Sequence, residues 1–128
     1  MLRASFWVGA IVDLLAALQL LVPGLWVSMG GFPAAEANGT LTYALIVAGS
    51  LMLGWTGLLV WANRKPLERK SILLLTVCPV LLGLALDNMA AILSGLKTAG
   101  STIPLLLIQV VVGTFMLFSY MNARKLIP

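Results

Sequence analysis

The sequence predicts an all-α integral membrane protein, a single domain of residues 1–128 built as an antiparallel, up-down-up-down four-helix bundle. Composition is the first reason, because 61% of the residues are apolar and 9% charged, whereas soluble domains are about half apolar and about one-quarter charged. The second reason is that the apolar residues form four continuous blocks, each long enough to cross a hydrocarbon core of about 30 Å as a helix. The blocks lack the alternation expected of barrel strands, which favours helices.

The predicted spans, read in order from the apolar blocks, are about 6–29, 41–62, 71–96 and 104–121. The first block contains Pro23-Gly24, a pair that would end or kink its helix early. A loop with Glu36 follows. The most polar stretch, 63–70, separates the second span from the third, and a short loop beginning at Lys97 separates the third from the fourth.

The basic residues predict the orientation. All of them except Lys97 fall on one side of the predicted topology: Arg3, Arg64, Lys65, Arg69, Lys70, Arg124 and Lys125. Cytoplasmic loops carry an excess of lysine and arginine. The sequence therefore predicts a multi-pass protein of the cell membrane with both termini in the cytoplasm.

The composition also excludes several kinds of chemistry. The chain has no histidine and one cysteine, Cys78, which rules out imidazole-ligated metals and a dithiol redox cycle. It has four scattered acids and no glycine-rich phosphate loop. We therefore assign no catalytic residue, no metal ligand and no cofactor. The net charge of +4 is explained by the loops that fix topology, so nucleic acid is not expected as a partner.

Two acids lie inside predicted spans, Asp13 in the first and Asp87 in the third. A charged acid near the bilayer centre costs about 2.5–3.5 kcal/mol on insertion scales, so such residues usually face the bundle interior. Each has glycine or alanine three and four residues away, and small residues allow helices to approach closely. Both carboxyls are therefore expected to point inward, with Thr56, Thr76 and Ser119 in the same half of the membrane as Asp13.

Neutral amides accompany Asp87. Asn88 follows it directly, and Gln109 and Gln19 are predicted at a similar depth in the fourth and first spans. Together they predict a polar intramembrane pocket, and the candidate ligand-binding residues are Asp87, Asn88, Gln109, Gln19 and Asp13. The alternative for the amides is hydrogen bonding between helices, a common role in membrane bundles.

The segments around the two acids share one spacing. Each reads glycine, three residues, aspartate, two residues, two alanines and an aliphatic residue, starting at Gly9 and at Gly83. The match indicates a weak parallel repeat of a helical hairpin, as in some transporters. Coincidence is the alternative, because glycine is frequent in membrane helices.

Three functional hypotheses follow. The first is a protein that binds a small hydrophobic or lipid-like ligand in the pocket around Asp87, with transport as one form of that activity. The second is an accessory or scaffold subunit that forms a homo-oligomer or a larger membrane complex through small-residue faces such as Ser50, Gly54 and Gly57. The third is a lipid-modifying enzyme, and it ranks last because paired catalytic groups are missing. Membrane lipids are partners in all three.

Overall fold

A computed structural model describes residues 1–22, 24–25 and 39–125 of the chain. Within these residues the protein is helical, and four helices are long and apolar enough to cross a membrane. We number them in chain order: α1 is Leu2–Leu21, α2 is Gly39–Ala62, α3 is Ser71–Leu93 and α4 is Ala99–Arg124. The prediction of four apolar, span-length helices is confirmed.

The end of α1 follows from local chemistry. Val22 has an extended backbone (φ −112°, ψ 93°) and its N–H still bonds to the Leu18 carbonyl. It precedes Pro23 in the sequence, and a residue before proline is disfavoured in the α conformation. The predicted first span, 6–29, therefore extends beyond the observed end of α1 at Leu21. Its last part, 26–29, lies outside them, as does Glu36.

The other predicted boundaries are closer. The end of α2 at Ala62 and the start of α3 at Ser71 are as predicted. The start of α4 is five residues earlier than predicted, at Ala99. The Ser101 and Thr102 hydroxyls donate to the Thr98 carbonyl at 3.0 and 2.9 Å, so these polar side chains satisfy their hydrogen bonds within the first turn.

A π-helical turn interrupts α3. The α-helical segments Ser71–Leu75 and Leu82–Leu93 flank a π-helical segment, Thr76–Leu81, which contains Pro79. Proline lacks an N–H and its ring collides with the carbonyl four residues earlier in a regular α-helix. A π-turn relieves this conflict by taking one more residue into the turn. Every residue beyond it is thereby rotated by about 100° relative to a regular helix, the rotation of one residue.

The core lies toward one end of the bundle. α1 packs along α2 and also against α4, and α3 packs against α4. The buried apolar cluster consists of Phe6, Ala10, Leu59, Ala62, Leu73, Val77, Val112 and Met116. We call this end the terminal end, because Met1, Leu67 and Ala123 line a common groove there. Toward the other end α1 still packs on α2, where Ala17 and Leu45 are buried, but no residue of Leu82–Leu93 is buried.

Candidate functional site

Asp13 is buried between α1 and α2. Its side chain is 9% exposed, and the Thr56 hydroxyl donates a hydrogen bond to the Asp13 Oδ2 atom at 2.9 Å. The Thr56 Oγ1 atom also lies 3.0 Å from the carbonyl oxygen of Met52, one turn earlier in α2. The inward orientation predicted for Asp13 is confirmed, and Thr56, predicted in the same half, is its hydrogen-bond partner.

Two more polar pairs join helices around the core. The Ser5 hydroxyl donates to the Ser119 Oγ atom at 2.5 Å between α1 and α4. The Trp55 indole N–H donates to the Thr76 Oγ1 atom at 3.2 Å between α2 and α3. Ser5, Thr76 and Ser119 are buried. These contacts account for the polar residues of this region as links between helices.

Asp87 does not face the interior. Its side chain is exposed, and it has no hydrogen bond or ion pair with any residue that the structure describes. The inward orientation predicted for Asp87 is therefore wrong. Thr76 and Asp87 are eleven residues apart, about three turns, and would share one face of a regular α-helix. The π-turn between them rotates Asp87 away from the face on which Thr76 meets α2.

The two segments of the proposed repeat therefore have different surroundings. A Cβ atom on Gly9 would overlap the methyl group of Met116, whereas one on Gly83 would meet nothing within 4 Å. Asp13 is buried and Asp87 is exposed. A shared spacing in the sequence does not give a shared environment here, because the helix that carries Asp87 contains the π-turn.

Asn88 interacts with the connection that follows α3. The Lys97 ammonium donates to the Asn88 Oδ1 atom at 2.9 Å. Gly95, with φ of 73°, allows the chain to turn back after the helix, and the Lys97 N–H bonds to the Ala91 carbonyl. Partial burial lowers the pKa of Lys97 from its ordinary value. Asn88 thus helps to anchor this turn.

Gln109 lines a groove between α3 and α4. The groove has a volume of about 220 Å³ and lies beside the π-turn, and its lining residues are Val77, Leu81, Leu82, Ala85, Gln109, Val110, Gly113, Thr114 and Leu117. The Gln109 Oε1 atom is buried and has no hydrogen-bond partner among the described residues. The Thr114 hydroxyl donates to the Val110 carbonyl at 2.7 Å. Gln109 therefore brings an amide side chain to a largely apolar groove, while its Oε1 atom is enclosed by protein.

A second groove, of about 480 Å³, lies at the terminal end. It is lined by the start of α1, the end of α4 and Leu67 of the connection between α2 and α3. In that connection the Arg69 guanidinium stacks on the Trp61 ring at 3.2 Å and donates to the Trp61 carbonyl at 2.6 Å. This contact holds the connection against the end of α2.

The structure separates the five candidate ligand-binding residues. Gln109 lines the first groove, and neither groove is lined by Asp87, Asn88, Gln19 or Asp13. Gln19 is half-buried on α1. Sequence reasoning named Gln109 as a companion of Asp87 and missed the groove itself. The available signal was Pro79, a proline within an apolar span, because prolines and π-turns disturb helix register.

The small-residue face of α2 is open. Ser50, Gly54 and Gly57 are exposed, and a Cβ atom on either glycine would meet nothing within 4 Å. Gly49, on a different face of the helix, is the glycine that packs, because a Cβ atom there would lie 2.8 Å from the Leu21 Cγ atom. The prediction of close packing at Gly54 and Gly57 is not met within the described part of this chain.

The described residues contain no group of three or more His, Cys, Asp or Glu side chains that could hold a metal ion. Cys78 is free and exposed. Comparison with protein-family models, with curated proteins and with solved structures finds no match for this chain. The functional argument therefore depends on the geometry of the grooves and of the polar residues.

Proposed function

We propose that this four-span protein of the cell membrane binds a small hydrophobic or lipid-like ligand in the groove between α3 and α4, at Gln109. The observation that carries the proposal is the groove itself, whose lining is apolar apart from the side chains of Gln109 and Thr114. Apolar pockets with a few placed polar groups are typical ligand sites. The site first predicted around Asp87 thus moves to the opposite side of α3.

The π-turn supports this location. Val77 and Leu81 belong to the π-helical segment and line the groove. π-turns in helices are frequently found at functional sites. Exposed residues of both helices, among them Leu82 and Val110, border the groove, so a ligand would enter from the lipid rather than from water. Binding is the proposed activity, and transport remains a prediction that neither groove supports.

We infer an antiparallel bundle with both termini in the cytoplasm. Contacts between α1 and α4 support the antiparallel arrangement, since Ser5 contacts Ser119 and Gly9 packs against Met116. Residue numbers along α1 therefore increase in the direction in which those along α4 decrease. The same holds for α1 and α2, where Gly9 lies against Leu59 and Asp13 against Thr56. The distribution of basic residues supports the orientation in the membrane.

Photo-crosslinking tests the proposed ligand site. A long-chain lipid carrying a diazirine, added to the protein in lipid nanodiscs, is expected to label peptides that contain 77–85 and 109–117. Val110→Trp would fill the groove mouth and is expected to reduce this labelling severalfold. Val111→Trp is the matched control, because Val111 is exposed to a similar extent (67% against 62%) and does not line the groove. Equal labelling in both variants would contradict the proposal.

An accessory or scaffold subunit is the second candidate. The specific observation in its favour is the open face of Ser50, Gly54 and Gly57, since small residues are enriched where membrane helices associate. A second copy or another membrane protein would cover it. Gly54→Leu would then shift the protein to a smaller assembly on size-exclusion chromatography with light scattering, whereas Leu53→Ala, also at an exposed position, would not.

A further inference from the structure

We propose that the groove at the terminal end binds an anionic phospholipid whose phosphate group faces Arg3. This site is separate from the groove between α3 and α4, and it would exist whether or not a ligand binds there. Three features of the terminal end support it: the residues that line the groove, the excess of positive charge around it and its position at the ends of the helices.

The groove combines a basic side chain with an amide and an apolar surface. Arg3 lines it from the start of α1, and Asn122 lines it from the last turn of α4. The rest of the lining is apolar apart from Ser119, whose Oγ atom already takes part in the bond with Ser5. Pockets of about 300–1,000 Å³ hold drug-sized ligands. A groove of about 480 Å³ therefore has room for a lipid headgroup and the first part of an acyl chain.

Arg3 is available to a ligand. Its side chain is exposed, and it has no hydrogen bond or ion pair with any residue that the structure describes. Two other basic residues of this end are engaged, because Lys65 pairs with Glu68 at 3.2 Å and Arg69 stacks on Trp61. The planar guanidinium of arginine can donate two parallel hydrogen bonds to a phosphate group. Arg3 therefore offers a phosphate both a charge and a matching geometry.

The terminal end carries an excess of positive charge. Among the described residues its only acid is Glu68, whereas the basic residues there are Arg3, Arg64, Lys65, Arg69, Lys70, Arg124 and Lys125. Each basic residue near a membrane surface strengthens the attraction of anionic lipid by about fivefold. A zwitterionic lipid carries its own cation, which these residues would repel. The charge balance therefore favours a lipid with a net negative charge.

The groove lies at the depth of a phospholipid headgroup. α1 has 20 residues, which span about 30 Å, the thickness of the hydrocarbon core. Arg3 is the second residue of α1, so it lies at the edge of that core. Leu67, an exposed leucine within the polar stretch 63–70, lines the same groove and can contact the start of an acyl chain. A free phosphate ion would leave this apolar surface uncovered, so a lipid is the favoured occupant.

Photo-crosslinking with two matched lipids tests the site and its preference for negative charge. The protein in phosphatidylcholine nanodiscs would be labelled with phosphatidylglycerol or with phosphatidylcholine, each carrying the same diazirine near the start of one acyl chain. We expect phosphatidylglycerol to label peptides that contain 1–5, 67 and 119–123 about fivefold more than phosphatidylcholine does, the factor for one basic residue near the surface. The peptide 41–48, at the opposite end of α2, should be labelled equally by the two probes.

Variants assign the preference to the groove. Arg3→Gln is expected to make the labelling by the two probes equal. Arg64→Gln is the matched control and is expected to keep the preference, because Arg64 is an exposed arginine of the same end that does not line the groove. Asn122→Asp adds an acid to the lining without removing a basic residue, and it is also expected to abolish the preference. It serves as the second test should loss of Arg3 disturb folding or orientation.

Each other outcome would overturn the proposal. Equal labelling by the two probes in the unmodified protein would do so, as would a preference that persists in both Arg3→Gln and Asn122→Asp. An equal loss in Arg64→Gln would show general attraction to a basic surface rather than a site. Millimolar inorganic phosphate at constant ionic strength is expected to leave the preference unchanged, and its loss would show that the site takes free phosphate. Labelling of 77–85 and 109–117 measures the other groove, so the two proposals can fail separately.

Discussion

Thr56 donates a hydrogen bond to the carboxyl of Asp13 across the interface of α1 and α2, with 2.9 Å between the two oxygen atoms. Asp13 is the acid that the structure buries among the described residues, and Thr56 is its side-chain hydrogen-bond partner there. An intramembrane acid is a functional hypothesis by default. Here the geometry gives it a structural role first, since the bond joins two helices that pack along each other.

Removal of the Thr56 donor is expected to destabilise the protein. Thr56→Val leaves the buried Asp13 carboxyl without its partner, and the expected loss is about 1 kcal/mol, the usual size of such bonds in membrane bundles. A double-mutant cycle with Asp13→Ala, followed by unfolding in mixed micelles, would measure the coupling. Thr114→Val is the control, because that hydroxyl is exposed and bonds within its own helix. A coupling energy near zero would show that the bond contributes nothing.

Substitution by alanine is expected to change the stability of the protein in opposite directions at two glycines of α2, Gly49 and Gly54. A Cβ atom on Gly49 would lie 2.8 Å from the Leu21 Cγ atom and 3.2 Å from the Ala17 backbone oxygen. Gly49→Ala should therefore force α1 and α2 apart and cost about 1–3 kcal/mol of unfolding free energy. Gly54→Ala meets open space and should be neutral or slightly stabilising. Equal thermal stability of the two variants would contradict this packing.

The orientation in the membrane is testable by labelling from each side. In a Cys78→Ala background, Pro66→Cys should react with a membrane-impermeant maleimide from the cytoplasmic side and Ala99→Cys from the opposite side. The physical reason is the concentration of basic residues around 63–70 and at both ends of the chain. Intact cells and inverted vesicles supply the two sides. Reaction of both cysteines from the same side would contradict the up-down-up-down topology.

The stability of the protein is expected to rise with pH in the alkaline range because of Lys97. Burial lowers the pKa of its ammonium from 10.5, so between the lowered value and 10.5 the unfolded chain holds a proton that the folded protein has released. Stability increases with pH wherever the unfolded state binds more protons. The gain is complete above 10.5 and absent below the lowered value. Lys97→Gln should remove this rise, and an unchanged pH profile in that variant would argue against it.

The sequence alone determined the class of the protein and much of its outline. Continuous apolar blocks require helices in a bilayer, because each backbone group must be satisfied within its own segment. Pro23 predicted an early end of α1, because it disfavours the helical conformation at Val22. The basic stretch 63–70 predicted the connection between α2 and α3. These properties are local, so they follow from composition and from neighbours along the chain.

The sequence also placed Asp13 correctly and Asp87 incorrectly by the same argument. Each acid shares its nominal face with glycine and alanine, and a regular helix would turn both inward. α1 is regular up to Asp13, so the argument holds there. In α3 the π-turn at Thr76–Leu81 precedes Asp87 and changes the register by about one residue. A face calculated from an unbroken period is then wrong for every residue beyond the turn.

Only the tertiary structure decided where the candidate ligand site lies. Gln109 was recognisable in the sequence as a polar residue within a span, but its surroundings depend on how α3 and α4 meet beside the π-turn. The same holds for the glycines of α2, of which Gly49 packs against α1 while Gly54 and Gly57 face outward. Periodicity fixes the spacing of side chains on one helix. Which face meets another helix depends on contacts between residues far apart in the chain, and those belong to the folded state.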